Sequence, residues 1–83
     1  EYARLRTPPR SVTIQLNGDP FDLDGPISVA ALLASLQIDP RRVAVELNLV
    51  VLKRATFETT IVQAGDSMEI VNFVGGGAPG AAR

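Results

Sequence analysis

SVTIQLNGDPFDLDGPISVAALLASL, residues 11–36, changes its hydrophobic period halfway along. In the first half Val12, Ile14 and Leu16 alternate with Thr13 and Gln15, as a half-buried strand requires, and Asn17-Gly18 follows, the dipeptide best suited to a two-residue hairpin turn. A second strand is predicted over Pro20 to Leu23. Asp24-Gly25-Pro26 then breaks the chain. Ser28 stands before VAALLASL, placed to cap the first free amides, and Val29, Leu32, Leu33 and Leu36 recur at helical spacing. The spacing predicts one short amphipathic helix that ends near Asp39-Pro40.

Beyond that helix the period returns to two. RVAVEL directs Val43, Val45 and Leu47 inward and Ala44 and Glu46 outward, a third strand. A turn at Asn48-Leu49 leads to the apolar pair Val50 and Val51, and Lys53 to Thr60 is weakly patterned, read as irregular with a 3₁₀ turn around Phe57. Ala64-Gly65-Asp66 turns the chain into SMEIVNFV, residues 67–74, the last strand. The order is strand, strand, helix, strand, short strand, strand. An opening hairpin followed by one helix crossing the sheet gives an α+β fold of the β-grasp (ubiquitin-like) type. Its mixed sheet of four to five strands is covered on one face by the single helix and leaves the other face to water.

Composition limits what such a domain can do. The 83 residues are 46% hydrophobic and 20% charged, enough for one small core and no second one. A net charge of −1, with basic residues scattered along the chain, argues against a nucleic-acid surface. No apolar run approaches the roughly 20 residues that span a bilayer, and no signal-peptide pattern opens the chain, so a soluble, cytoplasmic protein without membrane partners is expected. The chain has no Cys and no His, which removes thiol nucleophiles, imidazole bases and the common zinc ligands. No resident metal or cofactor is expected, and the chain is not expected to be an enzyme in its own right. Asp19, Asp22 and Asp24 lack the Gly and distant Glu of a calcium loop.

The exposed face of the sheet holds the candidate binding residues. If Met68 and Ile70 point toward the helix, then Glu69, Val71 and Phe73 share the opposite side, because side chains alternate along a strand. Two apolar residues facing water suggest a docking patch for a partner. The competing expectation is a shifted register that turns Val71 and Phe73 inward, or a cover formed by Phe57 or the N-terminal segment.

Two ends flank the core. Residues 1–10, EYARLRTPPR, contain three Arg and two adjacent Pro without a sustained apolar period and are read as a flexible leader before a β-grasp domain over 11–74. Residues 75–83, GGGAPGAAR, carry too little apolar surface to offset their ordering entropy and are read as a flexible tail. Gly75, Gly76 and Gly77 can extend about 10 Å beyond the last strand, at about 3.3 to 3.6 Å per residue. Lacking Cβ atoms, they would fit a narrow channel in a partner docked beside the sheet.

These residues together carry a resemblance. VAVELNLVVLKRATFETTIVQAGDSMEIVNFVGGG, residues 43–77, is similar to the ThiS-type sulfur carriers of thiamine thiazole biosynthesis. The likeness lies in a VELN strand, a basic residue after an apolar turn, a GD turn and an EIV-x-FVGGG end. IQLNGDPFDL and SVAALLASL match the family's hairpin and helix, so the likeness spans about residues 12–77. The resemblance implies a carrier whose terminal glycine carboxylate is adenylated with ATP by an E1-like, ThiF-type adenylyltransferase and converted to a thiocarboxylate. That sulfur then passes to a ThiG-type thiazole synthase. On this analogy Gly77 is the adenylation and thiocarboxylate site, Gly76 completes the diglycine, and Gly75 extends its reach. No side chain of the carrier is needed for the chemistry.

One departure from the family's pattern bears on function. Gly77 is followed by Ala78, so its carbonyl lies in a peptide bond. A peptidase that removes residues 78–83 is one expectation; an artificial tail, or a fusion to a following domain such as the synthase, are the others. The fold and the diglycine also suit the small subunit of molybdopterin synthase or another ubiquitin-like modifier. A function of a different class is a non-covalent β-grasp interaction domain whose glycines begin a linker. Lys53-Arg54 is read as a solvated pair and Asp66 as a turn former.

Overall fold

The computed structural model of this protein describes residues 11–73. The predicted leader and tail, with Gly75, Gly76 and Gly77, lie outside the described residues. Seven strands and one helix follow in the order β1 (Val12–Leu16), β2 (Asp19–Leu23), β3 (Ile27–Ser28), α1 (Val29–Ser35), β4 (Val43–Leu47), β5 (Val50–Val51), β6 (Ile61–Val62) and β7 (Ser67–Asn72). A 3₁₀ turn at Pro40–Arg42 precedes β4, and a second at Arg54–Thr56 follows β5.

The opening hairpin forms as its sequence demands. Asn17 and Gly18 take φ of 51° and 88°, the two positive angles of a type I′ turn, and Val12 pairs with Leu23 through to Leu16 with Asp19. β2 thus begins one residue before the predicted Pro20. The helix then starts where Ser28 allows it. Three of its first amides find acceptors: Ala31 N–H donates to Ser28 Oγ at 3.0 Å, Val29 N–H to the Thr60 carbonyl and Ala30 N–H to the Phe57 carbonyl.

The helix stops at Ser35, earlier than Asp39-Pro40. Gln37 turns into the left-handed region with φ 62°, while its N–H donates to the Ala34 carbonyl and the Ile38 N–H reaches back to the Leu33 carbonyl. That pair of bonds is a Schellman cap, with Ile38 packed against the core. Glycine normally marks such a stop; here glutamine occupies the position and no stop signal is visible in the sequence.

Five strands form the main sheet in the order β2-β1-β7-β4-β5, with β7 parallel to β1 and antiparallel to β4. The fold is the expected β-grasp, a mixed five-stranded sheet under a single helix. A second, two-stranded sheet joins β3 to β6, pairing Ile27 with Val62 and Ser28 with Ile61. This small sheet was not predicted. Two-residue strands have no period to read, and their pairing partner lies far along the chain.

The core fills the space between helix and sheet. Ile14 of β1, Val45 of β4, Met68 of β7 and Val62 of β6 are buried against Val29, Leu32 and Leu33 of α1, and Phe57 closes one end. Phe57 sits at the C-terminus of the second 3₁₀ turn, where the sequence suggested such a turn. Truncating Leu33 to Ala leaves a cavity at the centre of this cluster. The expected cost is about 2 to 5 kcal/mol, read as a lower midpoint in urea unfolding with an unchanged denaturant slope.

Candidate functional site

β7 is the last described strand and leads to Phe73, the last described residue. Its inner side is anchored by Met68, fully buried, and Ile70, partly buried against the core; its outer side presents Glu69 and Val71 to water, with Val71 58% exposed. The alternation is the one expected, and the shifted register that would bury Val71 does not occur.

Two asparagines at hairpin turns fix this strand along its length. β1 pairs with β7 over only Gln15 with Ser67 and Leu16 with Met68. There the chain reverses, and the side chain of Asn17 takes over the ladder. Its Oδ1 accepts from Ile70 N–H at 2.7 Å and its Nδ2 donates to the Ile70 carbonyl at 3.2 Å, while its backbone N–H donates to the Met68 carbonyl. An Asn tolerates the left-handed backbone of the turn, so one residue serves both the turn and the strand.

Asn48 acts on the other end. Its Oδ1 accepts from Ser67 N–H at 2.9 Å, its Nδ2 donates to Asp66 Oδ1 at 3.0 Å, and its N–H donates to the Ser67 carbonyl. Asp66 Oδ2 in turn accepts from Gln63 N–H at 2.8 Å. Asp66 therefore does form its turn, and it also ties that turn to the β4–β5 loop. Sequence reading found these residues as turn formers and missed their grip on β7, because the contacts join segments up to 53 residues apart.

The neighbouring turn has an unusual occupant. Asn48 and Leu49 adopt φ of 52° and 71°, and Leu49 is 90% exposed. The left-handed backbone costs a residue bearing a Cβ about 1 to 2 kcal/mol. Beside it Val50 and Val51 are also exposed, so the β4–β5 hairpin carries bare apolar surface at the edge of the sheet, one strand away from β7.

At the exit of β7, Phe73 departs from the expected open position. It lies past the end of the strand and is half-buried, and its N–H donates to the Arg42 carbonyl at 2.9 Å. The 3₁₀ turn at Pro40–Arg42 thus holds the last described residue against the start of β4. Asp39 caps that turn by accepting from Arg41 N–H, and its carboxylate receives the Arg41 guanidinium in two bonds of 2.9 and 3.1 Å. The Arg41 side-chain hydrogen bonds, followed by its backbone N–H, hold the Asp39 carboxyl down to about 2. Arg42 was not singled out in the sequence and Asp39 was read only as the end of the helix; an Asp before Pro is the weak capping signal that could have marked the turn.

Lys53 and Arg54 are exposed on the second 3₁₀ turn, where the Lys53 carbonyl accepts from Thr56. Among the described residues no cluster of three or more potential ligands is placed to hold a metal, and no helix is long and apolar enough to cross a membrane.

Set against known proteins, the model of the ThiS family matches residues 14–77. The chain belongs to the ThiS family. The crystal structure of the thiamine biosynthesis protein ThiS from Geobacter metallireducens superposes with a TM-score of 0.70 at 39% identity, covering 80% of this chain and all of that one. The uncharacterized protein ycf40 of Pyropia yezoensis is 42% identical over 67 residues, 81% of this chain and 94% of that protein. A thiazole synthase of Magnetococcus marinus is 39% identical over 64 residues, which make up 77% of this chain and 20% of that synthase. The family match thus covers the described fold from Ile14 onward and the three glycines beyond it.

Two outcomes follow from the restraints on the strand. Replacing Asn17 by Gly keeps the turn angles but removes the side-chain ladder, so stability should fall by about 1 to 2 kcal/mol. The Ile70 amide should also exchange faster, while a Gly18→Ala control, which strains the turn without touching Ile70, should not affect that amide selectively. The Asp39 contact contributes stability above the ordinary carboxyl value of 3.8 and loses it as pH falls through about 2. In an NMR titration its carboxyl should remain ionised at about pH 3, and Arg41→Ala should move its midpoint back toward 3.8.

Proposed function

We propose that this chain is a sulfur carrier of thiamine biosynthesis, loaded at the backbone carboxylate of Gly77. The observation that carries this reading is the reach of the family match. It runs from Ile14 on the first strand to Gly77 and stops there, at the last of the three glycines.

The chemistry fits the chain's inventory. A carboxylate resists attack by a sulfur nucleophile because it is anionic and resonance-stabilised. When one of its oxygens attacks the α-phosphorus of ATP, pyrophosphate leaves and an acyl-adenylate forms, whose acyl carbonyl no longer carries the carboxylate's delocalised charge. A sulfur nucleophile can then attack the carbonyl carbon, and AMP departs with its electron pair. With sulfide equivalents as donor, the product is a thiocarboxylate that can give its sulfur to a thiazole synthase. The adenylating partner supplies the nucleotide site and the charge stabilisation, so a chain without Cys or His suffices. The carrier contributes the acyl group, a thin arm and a docked sheet.

Two supports concern partners and placement. A thiazole synthase of Magnetococcus marinus carries a similar segment within its own chain, which favours a synthase as the sulfur acceptor. From Phe73 to Gly77 the chain can extend only about 14 Å, so the enzyme acting on Gly77 must rest against the end of β7. In this reading Val71 and Glu69, exposed on β7, meet that enzyme, with the half-buried Phe73 at the strand's exit beside them. Because Ala78 follows Gly77, the reactive form requires cleavage of that peptide bond by a peptidase.

Reconstitution tests the proposal. A chain ending at Gly77, incubated with ATP and the adenylyltransferase, should gain the mass of an adenylyl group. With a sulfur donor it should then show the exchange of one oxygen for sulfur. The chain ending at Arg83 should do neither. Identical, unreactive behaviour of both forms would favour a non-covalent binding module instead.

A further inference from the structure

The outer face of the sheet carries an unbalanced charge. Directly opposite residues in a sheet share a face, so the register places Glu69 of β7 beside Glu46 of β4, and Glu46 beside Val51 of β5; in the next row Val71 faces Ala44. Asp22 of β2 lies on the same face through its pairing with Thr13. No Lys or Arg stands on this face in any of its five strands, and neither Glu46 nor Glu69 has a basic partner within ion-pair distance among the described residues.

Like charges directly opposite one another on adjacent strands destabilise a sheet. Glu46 and Glu69 are therefore held together at a cost in the free domain, and both are bordered by bare apolar surface. Val51 is 66% exposed and Val71 58%. This arrangement suits a cation that arrives within an apolar contact. The apolar rim would exclude water and so strengthen the ion pair, and a guanidinium can donate to both carboxylates at once.

We infer that Glu46 and Glu69 form a two-carboxylate seat for an Arg or Lys side chain on the adenylating partner, with Val51 and Val71 as its apolar rim. The inference rests on the carrier reading for the identity of that partner. An enzyme that joins a carboxylate to a triphosphate must neutralise two anions and so surrounds its site with cations. Gly77 lies at most about 21 Å of extended chain from Val71, which brings this face against the rim of that site. A second copy of this chain does not fit the seat, since two such faces would oppose their carboxylates. A phosphate backbone is repelled in the same way.

The test pairs binding with folding. Glu46→Gln and Glu69→Gln in the chain ending at Gly77 should each weaken its affinity for the adenylating enzyme by about tenfold, as for loss of a hydrogen bond between charged groups. The same variants should melt at a higher temperature than the wild type, because the like-charge pair is gone. Raising salt from about 0.1 to about 1 M, which shortens the screening length from about 10 to about 3 Å, should weaken the wild type and barely affect the double variant. Wild-type affinity and salt dependence in the double variant would overturn the seat. If that happens while the wild-type chain is still adenylated, the carrier reading survives. If instead binding depends on both Glu residues and Gly77 is never adenylated, the seat stands and the carrier reading falls.

Discussion

A strand paired on both edges has no freedom to slide, and β7, the central strand of the sheet, is so placed. β1 holds it in parallel, β4 in antiparallel register, and Met68 fixes which side faces the helix. A slip of one residue would bury Glu69 and expose Met68, so the register is specified by burial as well as by hydrogen bonds. Because β1 runs out of backbone after Leu16, the ladder at Ile70 depends on the amide of Asn17. The position of Phe73, the last described residue, follows from these contacts, with the Arg42 carbonyl as the last of them.

Much of this was legible from the residues. The change from period two to helical spacing between Leu16 and Val29 located the hairpin and helix, Asn17-Gly18 gave the turn type, and alternation in SMEIVN put Met68 inward and Val71 outward. What escaped was short or distant. The β3–β6 pairing involves two residues on each side, too few for a period, and the helix stop at Gln37 lacks the glycine that usually reports it. The strand's side-chain restraints escaped for a different reason. Asn17 and Asn48 each read fully as turn residues, and a second role held by the same amide leaves no further mark in sequence. Phe73 was read as facing solvent by simple alternation, which ceases to apply once the strand ends at Asn72.

The absence of reactive side chains and the build of the sheet are parts of one arrangement. A domain of this size spends its hydrophobic residues on a single core under α1, which leaves the outer face free of packing duty. That face can then hold a costly pair of carboxylates and exposed valines beside the exit of the chain. In the carrier reading the chemistry needs no side chain at all, since a backbone carboxylate is the acyl donor. Selection at the surface is then free to act on docking. The ThiS family match over residues 14–77 joins these two parts, the sheet and the glycines, in one unit.

The state of the Gly77 carbonyl in the cell decides between a carrier and a passive module. Intact-mass and fragment analysis of the protein isolated from its source, under active thiamine synthesis, reads that state without any assumption about partners. The carrier account predicts chains whose last residue is Gly77, a fraction of them with one oxygen replaced by sulfur at that residue. Finding Gly77 joined to Ala78 in every molecule, with no sulfur-bearing form, would contradict it.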